Sequence, residues 1–168
     1  MNKNYIIVWL VLTTGALLLL TKCADQEKNM ILKGQKPPEI SLSDQHGKTV
    51  SLSDFQGQAV LLRFWTLDCV SCAKEMPELD ELYRQYKDKG FAILAINVRQ
   101  SPDAVKRFIN EHKLTYHVLF DMNADVYKDY NIVGFPTSYI IDRQGKSQEK
   151  IFGEIDKDAL EALIVKFL

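Results

Sequence analysis

The chain opens on its longest apolar stretch. Residues 4–21 read NYIIVWLVLTTGALLLLT, without a charge, between Lys3 and Lys22. A helix that crosses a bilayer needs about 20 largely apolar residues, with a lower limit near 17, so this run just reaches across. It is long for the apolar core of a cleaved leader, and no small-x-small cleavage site follows it. Residues 1–23 are therefore expected to form a signal anchor, a single-pass membrane helix with the remainder of the chain on the extracytoplasmic side. Lys3 and the free amine set that orientation. The alternative is a lipoprotein held through an acylated Cys23, although Lys22 stands where such a site expects a small residue. Residues 24–36 are polar, show no period and read as a linker. Pro37-Pro38 then opens a folded domain over residues 37–168.

Within that domain the pattern alternates between periods of two and of three to four. Residues 39–42 and 48–52 alternate polar and apolar around Asp44-Gln45-His46-Gly47, which predicts a β-hairpin. Residues 53–55 open a short helical turn that Gly57 ends. The run AVLLRFW (59–65) has strand length and no polar face, as expected of a central strand buried on both sides. From 70 to 89 the period becomes helical: Met76, Leu79, Leu82, Tyr83 and Tyr86 share one face, and Gly90 stands where a left-handed cap is wanted. Pro77 should kink this helix. Residues 91–97 (FAILAIN) predict a second buried strand. Ser101 and Pro102 open a helix that runs to about 112. An extended piece over 116–120, a helix over 124–130, strands over 137–141 and 147–152 around a turn at 142–145, and an amphipathic helix over 156–167 complete the order. The expected class is α/β: a central mixed β-sheet flanked by helices, with an N-terminal β-hairpin extension and the N-terminal membrane-anchor helix.

Composition narrows the function classes. The 168 residues are 26% charged and 46% apolar with a net charge of −1, so the basic patch that nucleic-acid binding requires is not expected. There are 3 cysteines, Cys23, Cys69 and Cys72, which is too few for a disulfide scaffold. Cys69 and Cys72 form a lone C-x-x-C. A structural zinc site needs two further ligands, and His46, His112 and His117 lie at no ligand spacing from the pair. No metal is expected.

The C-x-x-C sits between the buried strand and the long helix, and that location carries chemistry. A helix N-terminus offers unpaired N–H groups and about half a positive charge. A thiolate there is stabilised, with its pKa falling from about 8.5 into the ~3.5–7.5 range. Cys69 is thus the expected nucleophile and Cys72, one turn inward, the resolving thiol, the two closing a Cys69–Cys72 redox disulfide. Glu75 follows on the same helical face. Buried, it would exchange a proton with Cys72 or tune the thiols; exposed, it is an ordinary first-turn acid. Asp68 raises the Cys69 thiol if it is close. Phe135-Pro136 directly precedes a strand, where the residues alone favour a trans peptide.

Phe64-Trp65 followed by Cys69-x-x-Cys72, then Lys74-Glu75-x-Pro77, Asn97-Val98, Gly134-Phe135-Pro136-Thr137, the Asp44 to Lys48 turn and Ser51 to Phe55 together resemble the TlpA/ResA family of thioredoxin-like thiol–disulfide oxidoreductases, related to AhpC/TSA proteins. The resemblance spans about residues 36–168. It implies a thioredoxin-like fold, nucleophile Cys69, partner Cys72, active-site acid Glu75, a cis peptide at Pro136, and client contacts from Phe135, Pro136 and Trp65. It further implies a monomer without cofactor, fed by a thiol-type electron donor in the membrane and acting on client proteins with disulfides, such as apocytochrome c in cytochrome c maturation. Asp68 and Ser71 depart from the Trp and Pro common in relatives, which bears on the direction of exchange. Three other functions compete, the plainest being an interaction module with an idle C-x-x-C. A peroxidase is suggested by Thr66, three before Cys69, but Leu62 stands where that chemistry sets a proline. A copper chaperone would use C-x-x-x-C, and the spacing here is shorter.

Overall fold

The computed structural model describes residues 31–168. The predicted anchor over residues 1–23, Cys23 and most of the linker lie outside the described residues. Among those described, no helix is long and apolar enough to cross a membrane.

A short hairpin comes first, β1 (Ser41–Ser43) antiparallel to β2 (Thr49–Ser51), followed by a 3-10 turn over Leu52–Phe55. The main sheet has five strands: β3 (Ala59–Trp65), β4 (Phe91–Val98), β5 (His117–Asp121), β6 (Thr137–Ile141) and β7 (Ser147–Phe152). Their order across the sheet is β5-β4-β3-β6-β7. β3, β4 and β5 run parallel, and β6 and β7 are antiparallel additions. The crossovers are α1 (Val70–Tyr86), α2 (Pro102–His112) and α3 (Asp125–Asp129), and α4 (Lys157–Val165) closes the chain.

β3 is paired on both sides, with Leu62 opposite Leu94 in β4 and Tyr139 in β6. Every residue of β3 and β4 is buried. The period-two alternation of a strand divides their side chains between two cores. Ala59, Leu61 and Trp65 join Cys72, Met76, Leu79 and Leu82 of α1, Val105 and Ile109 of α2, and Leu160 and Ile164 of α4. Val60, Leu62 and Phe64 face the other way, against Ile40, Val50 and Leu52 of the hairpin region and Val126 of α3. Two apolar layers on one doubly buried sheet explain why these strands read as continuous hydrophobic runs.

Each sheet edge is partly covered, which blunts it against pairing with other chains. The hairpin turn approaches β5: Asp44 bridges Leu119, and the Gln45 side chain donates to the Tyr116 carbonyl and accepts from the Val118 N–H, at 2.9 Å each. On the opposite edge, Gly34 and Gln35 exchange backbone hydrogen bonds with Ser147.

Local expectations need several adjustments. The long helix stops at Tyr86 and tightens into a 3-10 turn over Lys87–Lys89 before Gly90, whose φ of 87° is the left-handed cap. The helix runs on unbroken through Pro77. Ser101 begins α2, but its hydroxyl caps nothing, and Pro102 performs the initiation. The helix expected over 124–130 shortens to α3 because the buried Asp121 carboxylate takes the N–H groups of Asp125 and Tyr127, at 3.0 and 2.8 Å, and sets the start. β5 begins one residue later than the apolar pattern suggests.

Leu94, in the middle of β4, is fully buried in the core on the hairpin side of the sheet. Leu94→Ala is expected to lower unfolding free energy by about 2–5 kcal/mol. A urea titration should show an earlier midpoint with an unchanged slope.

Candidate active site

β3 ends at Trp65, and a short loop carries the chain to Cys69, the N-cap of α1 with φ −88° and ψ 100°. Its sulfur accepts the Cys72 N–H at 3.2 Å, and its carbonyl accepts from Ala73 at 3.0 Å. The two cysteines are joined by a disulfide, with Cα atoms 5.2 Å apart. Cys72 is completely buried, whereas Cys69 is half-buried and has the Ser71 Oγ at 3.5 Å. The geometry distinguishes the sulfurs: one meets solvent at the positive end of a helix, and the other lies a turn below in the apolar layer.

The loop is held by a residue that the sequence reading did not select. Gln100 lies just beyond the end of β4. Its Oε1 accepts the Leu67 N–H at 2.6 Å and the Asn97 Nδ2 at 2.9 Å, and its Nε2 donates to Asp68 at 3.0 Å. The parallel register Trp65 opposite Asn97 creates this contact by ending both strands at the same level. Asp68 therefore spends its carboxylate on Gln100, thirty-two residues away in sequence. No local pattern announces a clamp of this kind; only strand register does.

Register also delivers the third part of the site. Phe64 pairs with Thr137, so the Phe135–Pro136 peptide, which is cis, arrives at the end of the sheet where β3 turns into α1. Thr137 Oγ1 donates to the Gly134 carbonyl at 2.7 Å, and the Pro136 carbonyl accepts from Gly153 at 2.8 Å. Phe135 is half-buried with its ring 5.8 Å from Tyr127. The Phe152 ring lies over Gly134, 3.2 Å from where a Cβ would stand. Val70, Val133 and Phe152 are exposed, at 85%, 74% and 66%. Trp65 requires a correction. It is fully buried against Phe108, with ring centroids 5.3 Å apart, and offers clients no surface. The period of β3 turns it inward, so it supports the site from beneath.

Glu75 is buried, not a solvated first-turn acid. Its Oε2 accepts from the Nη2 of Arg63, a residue in the middle of β3. Arg63 is also fully buried and donates through Nη1 to Ser138 at 2.9 Å. The histidines go elsewhere: His117 lies 3.7 Å from Asp44, and His112 stacks on Phe108. Among the described residues, no group of three or more His, Cys, Asp or Glu is arranged to hold a metal ion.

A two-cysteine turn at a strand–helix junction, facing a cis-prolyl loop, can exchange a disulfide with another molecule. Comparison with known proteins agrees. The thiol-disulfide oxidoreductase ResA of Bacillus cereus is 35% identical over 171 residues, covering 99% of this chain and 98% of that protein. ResA of Bacillus anthracis is 37% identical over 172 residues, with coverage of 99% and 98%. The solved thioredoxin domain of a thiol-disulfide oxidoreductase from Bacteroides vulgatus superposes with a TM-score of 0.73 at 34% identity, over 82% of this chain and 98% of that one. Fold and site thus define a thioredoxin-like thiol–disulfide oxidoreductase. The chain belongs to the AhpC/TSA family, matched over residues 33–150, and its relatives include the ResA oxidoreductases.

Gln100→Ala removes the acceptor of the Leu67 N–H. The expected cost is about 1–3 kcal/mol, read by chemical denaturation. Amide exchange at Leu67 should accelerate while exchange in β4 stays slow.

Proposed function

We propose that this protein is an extracytoplasmic, membrane-tethered reductant of protein disulfides, with Cys69 as nucleophile and Cys72 as resolving thiol. The observation that carries the reading is the N-cap position of Cys69, whose sulfur accepts a helix N-terminal N–H while Cys72 stays buried. In the dithiol form, the Cys69 thiolate attacks one sulfur of a client disulfide. A mixed disulfide forms and a client thiolate leaves, to be protonated by water. Cys72 then loses its proton and attacks the Cys69 sulfur. The Cys69–Cys72 bond forms, the mixed disulfide breaks, and the second client thiolate departs. The client gains two electrons and two protons, and a thiol-type donor at the membrane restores the dithiol. No cofactor takes part.

Glu75 belongs to this machinery as a group that tunes the thiols. Its burial one helical turn from Cys72 supports that assignment. Phe135 and Pro136 present backbone to an extended client segment, and the exposed apolar side chains Val70, Val133 and Phe152 give the rim contact area. Apocytochrome c, with its paired haem-attachment cysteines, is the client we favour on family resemblance. The tether rests on the uncharged run over residues 4–21, with acylation of Cys23 as the other route to the same surface. The protein acts as a monomer.

Cys72→Ser is expected to accumulate mixed disulfides through Cys69 in cells, resolved on non-reducing gels and released by dithiothreitol, whereas Cys69→Ser should trap none. Equal trapping by the two variants, or trapping by neither, rejects the assignment. An apocytochrome among the captured proteins identifies the client. For the tether, the full chain should sediment with membranes, and a chain starting at Ile31 should remain in the supernatant.

A further inference from the structure

The apolar run of β3 contains one charge, Arg63, and the chemistry above leaves it unused. Alternation along β3 turns Arg63 to the same face as Leu61 and Trp65, the layer covered by α1 in which Cys72 and Met76 are packed. It is fully buried, and its strand neighbours in register are Ala95 and Ser138. Removing a guanidinium from water costs several kcal/mol unless it is paired, and a leucine would fill this place without that cost. What the arginine does must therefore lie in what it touches. Its two terminal nitrogens go to Glu75 and to Ser138, and its Nε finds no partner among the described residues.

Resting on the disulfide-exchange reading, we infer that Arg63 is a positioning residue for the redox pair: it fixes Glu75 beneath the first turn of α1 and cancels that carboxylate's charge next to Cys72. Cys72 and Glu75 are one helical turn apart on one face, with Cβ atoms about 5–6 Å apart in such a pair. An uncompensated carboxylate there would oppose ionisation of the thiols. The guanidinium removes this opposition and holds one of the two carboxylate oxygens. Burial lowers the pKa of Arg63 to about 10, against the fields of Tyr116 and Glu154, so it remains a cation at neutral pH.

The surrounding charges do not replace it. Asp80, buried on α1, is bound to Arg84 and to Thr115. Lys74, Glu78 and Glu154 line the open cleft beside Glu75 together with Lys157 and Glu81, which pair with each other. Asp68, on the loop before Cys69, is engaged by Gln100. Arg63 alone among these cations lies under the helix.

The test is the pH profile of thiolate formation in the reduced, full-length protein, followed by ultraviolet thiolate absorbance and by alkylation rate. Arg63→Met leaves Glu75 unopposed, and the profile should move up by about one pH unit. Glu75→Gln leaves Arg63 unopposed and should move it down by a similar amount. The double variant should return close to the parent, and Arg63→Lys should stay closer to the parent than Arg63→Met does. Folding is checked by circular dichroism. If Arg63→Met does not fold, Glu75→Gln and the double variant decide. Profiles of Arg63→Met and Glu75→Gln that superpose on the parent overturn the inference, as does an unmoved Glu75→Gln profile alone. The parent's ability to form the Cys69–Cys72 disulfide and to reduce a model protein disulfide is measured in parallel. If the parent fails there, the exchange reading falls; if it exchanges normally while the variant profiles stay put, only the role of Arg63 falls.

Discussion

Everything at the redox end of this protein depends on a single junction, the point where β3 stops pairing and α1 begins. A helix start exposes N–H groups that have no partner in the preceding turn. Here one of them, from Cys72, is directed at the Cys69 sulfur. The same turn buries Cys72 in the apolar layer between α1 and the sheet. Two chemically identical residues are thereby made unequal, one half-exposed at the helix start and the other sheltered. Ordered thiol exchange needs that inequality, because only one sulfur should meet the client and only the other should close the cycle.

The junction is held from two sides by strands it does not belong to. β4 ends level with β3 and sends Gln100 across to the loop. β6 runs antiparallel to β3 and brings the cis Phe135–Pro136 peptide to the same end. A site on a loop is only as precise as its supports, and both supports here are fixed by backbone ladders. Val70, Val133 and Phe152 are exposed at this end, whereas most of the large hydrophobic residues are consumed by the two cores.

The buried Arg63–Glu75 pair stands apart from that economy. Ion pairs in an interior seldom add stability relative to well-packed apolar residues of similar size. Its position under the reactive turn connects it to chemistry instead. The strand that supplies the rigid floor of the site also supplies its counter-charge, since β3 leads into the Cys69 loop and carries Arg63 two residues before Trp65.

Much of this was legible in the residues alone. Period-two and helical patterns located the five main strands and the long helix, because the continuously buried β3 and β4 interrupt their apolar runs only at Arg63 and Asn97. The strand–C-x-x-C–helix order located the cysteines at the start of the helix, where their disulfide lies. The resemblance supplied the cis peptide at Pro136, which local preferences oppose. The environment of Glu75 was undecided between two readings, and Arg63 passed as one more member of an apolar strand. Trp65 was misplaced onto the client surface, because a motif names a residue without saying which way the pleat turns it. Gln100 carried no local signal whatever. The sequence by itself determined where strands and helices form and where the reactive sulfurs sit, because those depend on periodicity and on neighbours a turn away. Only the tertiary structure decided which distant side chains meet beneath and beside those sulfurs, because strand register and the facing of each side chain are set by long-range pairing that no short window contains.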